Sequence, residues 1–359
     1  MKEAVLTRIL IIIFACLFIA CNPTGNSKDQ GQKEEAEQGE VSSTSFTFNV
    51  NNTHLKLNYF SSHDLYKRNN SISRLVIVVH GTGRNPFTYF TNMHKAAKLA
   101  GAEDRTLIIA PGFIMEEDLN NNRDLLSDQH IFWTNNGWKQ GDESLTDSET
   151  NFRTESLSSF EVMDSIVWNI IGSASFPNIE QIVIAGNSAG GQFVNRYLGS
   201  NLIHKQVKEI YDIEIKYMIA APSSYTYLTP ERPLPGSPGE FYIPGDTCCN
   251  SQYNSYKYGL ENLNKYLERS GAAKIREQYG TRSVSYFVGA LDNDPEGKSL
   301  DRRCEAILQG KERRERAELF NEYLIYLYGK RWPLTIVPGA EHDHALMFAS
   351  EEGREWLFN

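Results

Sequence analysis

Cysteine is scarce in this chain of 359 residues: there are five, at positions 16, 21, 248, 249 and 304. None is spaced Cys-x-x-Cys and no histidine lies close to the adjacent pair, so the pattern offers no zinc site. An excess of positive charge is also missing. The formal net charge is −9, which argues against a nucleic-acid partner, because such proteins neutralise phosphates with clustered lysine and arginine. No internal repeat is visible. The chain opens with an apolar run, ILIIIFACLFIA at residues 9–20, that is short for a membrane span and has the length of a signal-peptide core.

Lys2 and Arg8 precede that run, and small Ala20 stands before Cys21. The stretch LFIAC at residues 17–21 resembles the bacterial lipoprotein cleavage box. The resemblance implies a signal peptide over residues 1–20, cleavage before Cys21 and a lipid on Cys21. The protein would then be exported and held at a bacterial membrane by that lipid. Residues 21–45 are polar and acidic with almost nothing to bury, so they read as a flexible tether. Residues 46–359 have a normal globular composition and suit one large domain. Disulfides persist in exported proteins. With Cys16 removed and Cys21 lipidated, a bridge from Cys304 to Cys248 or Cys249 is expected.

Strand-like and helix-like stretches alternate along residues 46–359. Residues 46–60, with Asn51-Asn52-Thr53 in the middle, read as an opening hairpin. RLVIVVHG (74–81), TLIIAPG (106–112), QIVIAG (181–186), KYMIAAP (216–222), SVSYFVGA (283–290) and LTIVPG (334–339) read as strands, several of them continuous apolar runs suited to burial on both faces. Helices are expected over 88–100, 158–172 (with Ser158 and Glu161 as a capping pair), 190–198, 300–328 and 344–358. This alternation predicts a mostly parallel sheet covered by helices on both faces, with ligands beyond the carboxyl ends of the strands.

At one such strand end stands Gly186-Asn187-Ser188-Ala189-Gly190-Gly191. A serine hydroxyl attacks poorly unless a base takes its proton and the oxygen is exposed. A tight strand-to-helix turn provides the exposure, and it demands tiny residues two before and two after the serine. Gly186 and Gly190 meet that demand.

With these motifs the sequence resembles the serine-type α/β-hydrolases over nearly all of residues 46–359, and the resemblance implies further roles. The oxyanion hole would be the backbone N–H groups of Ala189 and Thr82, with Gly83 as a substitute, since RLVIVV leads into His80-Gly81-Thr82-Gly83. Asp292 in Gly289-Ala290-Leu291-Asp292 would be the acid, with Asp294 in reserve. His342 in Gly339-Ala340-Glu341-His342 would be the base, while His344 is expected to begin the closing helix. The implied chemistry is acyl transfer through an acyl-enzyme, requiring no metal or other cofactor. The blocks HGTGRNPFTYF, FWTNNGWKQGDESL, GNSAGGQFVNRY and APSSYTYL resemble those of a group of exported bacterial and fungal hydrolases. Arg84, Trp133, Trp138, Ser144 and Tyr225 sit on loops after strands and are candidates for the substrate pocket. The long inserts at 120–157 and 223–261 lack the apolar amphipathic character of a lipase lid. This favours an esterase acting on a polar or aromatic ester, small or oligomeric. A peptidase or amidase on the same fold, or a surface-binding protein without catalysis, remain the alternatives.

Overall fold

The computed structural model describes residues 40–148, 151–245 and 248–359. The expected signal peptide, the lipidated Cys21 and the tether as far as residue 39 lie outside the described residues, as does the side chain of Cys248.

Eight strands form the central sheet: β1 (Ser45–Val50), β2 (Thr53–Ser61), β3 (Arg74–Val79), β4 (Thr106–Pro111), β5 (Gln181–Asn187), β6 (Glu214–Ala220), β7 (Ser283–Gly289) and β8 (Leu334–Val337). Their spatial order is β1-β2-β4-β3-β5-β6-β7-β8. The pairs from β4 through β8 are parallel, while β1 with β2 and β2 with β4 are antiparallel. The opening hairpin turns through Asn51 and Asn52 at φ 45° and 67°, a left-handed pair that asparagine tolerates and that matches the twist of the strands. Central β3 buries every residue from Leu75 to Val79, as its continuous apolar sequence requires.

From β3 the chain crosses to β4 on one side, and β5 then occupies the other side of β3. Helix α1 (Pro86–Leu99) makes the first crossover, while α3 (Ala189–Ser200) follows β5 and leads on towards β6. Right-handed crossovers running in opposite directions put their helices on opposite faces of the sheet. The reversal opens a crevice beyond the carboxyl ends of β3 and β5. Between β4 and β5 lies α2 (Ser159–Ile171), which packs on α3 through Phe160 and Phe193, edge to face at 4.8 Å. Its expected capping pair is formed: Ser158 Oγ accepts from Phe160 N–H at 3.1 Å, and Glu161 Oε2 accepts from Ser158 N–H at 3.0 Å.

Three boundaries differ from the sequence reading. The stretch 300–328 is two helices, α4 (Cys304–Ile307) and α5 (Arg313–Tyr328), broken near Gly310 at φ 130°. The closing segment is also two, α6 (His344–Ala349) and α7 (Glu351–Phe358); Ser350 between them turns extended and caps α7 by accepting from Gly353 N–H at 3.0 Å. Residues 40–45, assigned to the tether, belong to the folded body. Glu40 N–H donates to Arg84 C=O at 3.0 Å, and the Glu40 carboxylate accepts from Thr88 N–H and Oγ at 2.8 Å each, tying it to the first turn of α1. The disulfide joins Cys249 to Cys304, with Cα atoms 5.4 Å apart, and fastens the insert after β6 to α4.

Candidate active site

Ser188 caps α3 directly after β5, in a backbone conformation (φ 58°, ψ −119°) that L residues rarely adopt. Two hydrogen bonds hold it there: Ser188 N–H donates to Ala220 C=O at 2.9 Å, and Ser188 C=O accepts from Gln192 N–H at 3.0 Å. The neighbouring glycines are small for a geometric reason. A Cβ on Gly186 would fall 2.3 Å from Gly190 O, and one on Gly190 would fall 2.2 Å from Val79 O. The start of α3 thus presses on the end of β3, and it brings Ser188 beside Gly81, with Ser188 Cβ 3.8 Å from where a Gly81 Cβ would stand.

That approach sets Ser188 against the loop after β3. Among the described residues, the N–H groups of Thr82, Gly83 and Ala189 meet no backbone acceptor. Ala189 also opens α3, where aligned peptide dipoles favour negative charge. The loop is pinned from behind by His80. Phe113 N–H donates to His80 Nε2 at 3.0 Å, which places the ring proton on Nδ1, and Nδ1 donates to Gly81 C=O at 2.8 Å. Full burial pushes this imidazole down to about 4, so it stays neutral and keeps that tautomer. Tyr89 fills the space over Gly81, its hydroxyl 2.7 Å from where a Cβ would be. Sequence reading named His80 only as the opener of His-Gly and passed over Tyr89; no local pattern marks either role.

Asp292 and His342 come together through a second glycine. A Cβ on Gly289, the last residue of β7, would fall 2.2 Å from Glu341 O. Ala290 N–H donates to Val337 C=O at 2.9 Å and Leu291 N–H to Ala340 C=O at 2.8 Å. The loops after β7 and β8 therefore lie one upon the other, and His342 Nδ1 reaches Asp292 Oδ2 at 2.7 Å. A carboxylate only accepts, so Nδ1 carries the proton. Asp292 is buried, and its other oxygen faces Arg313 Nη1 at 3.4 Å. The reserve residues do other work. Asp294 is exposed and caps a turn by accepting from Glu296 N–H at 2.9 Å. His344 opens α6, stacks on Tyr89 at 3.9 Å and accepts from Asn92 Nδ2 at 3.0 Å.

The five pocket candidates are buried inside the fold rather than exposed along a groove. Arg84, at φ 50°, pairs with Asp118 (Nη2 to Oδ1, 3.1 Å) and cross-links the loop after β3 to the one after β4. Trp133 donates from Nε1 to Asp142 C=O at 3.1 Å, and Trp138 packs its ring 4.7 Å from His80. Ser144 Oγ accepts from Leu157 N–H at 3.1 Å, and Tyr225 stacks on Phe320 at 4.3 Å. The rings of Trp133, Trp138 and Tyr225 pack within the core.

No protein-family model and no curated protein sequence matches the chain. Solved structures that share its architecture include the following two. Poly(aspartic acid) hydrolase-1 of Sphingomonas sp. KT-1 aligns over 90% of this chain and 100% of its own, with a TM-score of 0.55 at 21% identity. A poly(3-hydroxybutyrate) depolymerase of Bordetella parapertussis aligns over 89% of this chain and 91% of its own, with a TM-score of 0.52 at 18% identity. Likeness at that identity carries the architecture, and with the strand order above it establishes that the chain has the α/β-hydrolase fold.

Proposed function

We propose that the protein is a serine hydrolase that cleaves carboxylic esters through an acyl-enzyme, with Ser188 as nucleophile, His342 as base and Asp292 as acid. The observation that carries this reading is the 2.7 Å bond from His342 Nδ1 to Asp292. It commits one ring nitrogen to the carboxylate and leaves the other able to accept a proton; because β5, β6, β7 and β8 run parallel, this pair and the strained turn of Ser188 both follow carboxyl ends of strands.

In this reading Ser188 Oγ attacks the ester carbonyl carbon while its proton passes to His342 Nε2. The carbonyl oxygen becomes an oxyanion and accepts from the N–H groups of Thr82 and Ala189. Each such donor is worth about 3–4 kcal/mol of barrier. Collapse returns the proton from His342 to the departing alcohol. Water, deprotonated by the same nitrogen, then releases the acid and restores Ser188. Asp292 keeps the ring in the required tautomer and stabilises its cation.

Residues 40–359 challenged with p-nitrophenyl esters and with amino-acid p-nitroanilides test the reaction class. Esters should be turned over and anilides not; the reverse preference would overturn the ester reading. Ser188→Ala should lower ester turnover at least about a thousandfold while leaving the circular dichroism unchanged. A variant as active as wild type would remove Ser188 from the mechanism. The sequence of residues 1–21 supports export and a lipid anchor on Cys21. Incorporation of an alkynyl fatty acid into the full chain, lost in Cys21→Ala, is the expected result; equal labelling of both would refute the anchor.

A further inference from the structure

Asp292 has a second partner that the proposed chemistry does not use. Its Oδ2 is engaged by His342, and its Oδ1 faces Arg313 Nη1 at 3.4 Å, with both side chains almost wholly withdrawn from water (2% and 6% exposed). The guanidinium is itself anchored, since Arg313 Nη2 donates to Lys298 C=O at 2.8 Å. The helix it belongs to grips the same loop by its backbone. Arg314 N–H donates to Asp292 C=O at 3.1 Å, and Arg314 Nη1 donates to Ala290 C=O at 3.0 Å. The first turn of α5 thus touches the acid loop at a carboxylate and at two carbonyls. A buried, anchored ion pair of this kind fixes the rotamer of the carboxylate. It also places a positive charge behind the negative one that His342 sees.

We propose that Arg313 is a positioning residue for the Asp292–His342 pair: it holds Oδ2 towards the ring and offsets part of the carboxylate's charge. This inference rests on the reading of Ser188, His342 and Asp292 as a proton relay. The other titratable or charged groups around Asp292 do not duplicate the role. Tyr225 is driven well above its ordinary range by burial and stays neutral. Arg316 spends its Nε on Gly310 C=O at 2.8 Å and its Nη1 on Ser223 C=O. Arg314 faces Glu318 and the backbone rather than the carboxylate.

The test uses a fluorophosphonate probe, whose reaction with Ser188 reports the relay without knowledge of the natural substrate. The labelling rate is measured against pH for wild type, Arg313→Met and Arg313→Lys, with circular dichroism and Tm taken on each. In Arg313→Met the rate at neutral pH should fall by about tenfold. Its acid limb should move upward by roughly half a unit to one unit, because the carboxylate now favours the ring cation unopposed. Arg313→Lys keeps the charge without the fork, so it should return the limb to the wild-type position while recovering the rate only in part. A folded Arg313→Met with wild-type rate and limb would overturn the proposal. So would equal losses in both variants with an unmoved limb, the signature of a purely structural role. Failure of wild type to label at Ser188 would remove the relay itself, and this inference with it. Labelling of Ser188 with an indifferent Arg313 would leave the relay standing and discard the inference alone.

Discussion

At the scale of single residues, the candidate site is built by the absence of side chains as much as by their presence. Gly289 separates the loop bearing Asp292 from the loop bearing His342 by a gap too narrow for a methyl group. Gly289→Ala should therefore part the two loops and slow fluorophosphonate labelling at least about a hundredfold, with a Tm loss of only a few degrees, because the strain is local and at a sheet edge. Labelling at the wild-type rate would mean that the loops accommodate the methyl group. Asp292→Asn makes a complementary prediction. An amide can donate to Nδ1 and so favour the wrong tautomer, and it leaves Arg313 without its counter-charge. Turnover should drop by about 10³–10⁴-fold. The types of these residues were legible in the sequence, since Gly-x-Ser-x-Gly and Gly-x-x-Asp are short local patterns. The roles of His80 and Tyr89 were not, because they depend on contacts that only folding creates: Phe113 N–H with the His80 ring, and the Tyr89 hydroxyl over Gly81.

At the scale of elements, helix α2 was read almost to its ends, because its start signal is local: Ser158 and Glu161 bond reciprocally across one turn. Ser158 Oγ also donates to Gly141 C=O at 2.7 Å, so the cap fastens the long insert after β4 as well. Ser158→Ala should lower stability by about 1–2 kcal/mol, read from denaturant midpoints, and a change of a few tenths would show that the insert holds itself. The two long helices expected near the carboxyl terminus were not read correctly. Their charged and apolar periodicity continues across the breaks. What interrupts them is Gly310 at a left-handed angle and Ser350 capping forward. Arg84 has a partner that was beyond local pattern for a related reason. Its loop position resembles a ligand contact, yet burial brings it to Asp118, and Asp118→Ala should cost about 3–5 kcal/mol by leaving a buried guanidinium unpaired.

At the scale of the whole molecule, acid should unfold the protein early. Burial holds His80, His130, His204 and His344 down to about 4, whereas the unfolded chain titrates them near 6.5. Between those values the unfolded state binds more protons, so stability falls as pH drops from about 6.5 towards 4. Asp164, raised to about 6 by burial beneath Tyr197 and Tyr266, works in the opposite direction, because its folded form takes a proton first. Burial also lowers His63 and raises Glu312, so the lowered histidines outnumber the raised carboxyls. Tm should fall by several degrees between pH 7 and pH 4.5, and a flat profile would contradict the neutral burial of these histidines.

The sequence by itself determined the α/β alternation and the strand-to-helix turn at Ser188, because each depends on residues within a few positions of one another. It also indicated that a bridge would reach Cys304. Tertiary structure alone decided that Cys249 is the partner, that residues 40–45 join the body, that the aromatic loop residues pack inward, and that Arg313 stands behind Asp292. Those outcomes depend on which segments, distant along the chain, the twisted sheet brings within a few ångströms, and no local pattern of side chains encodes that distance.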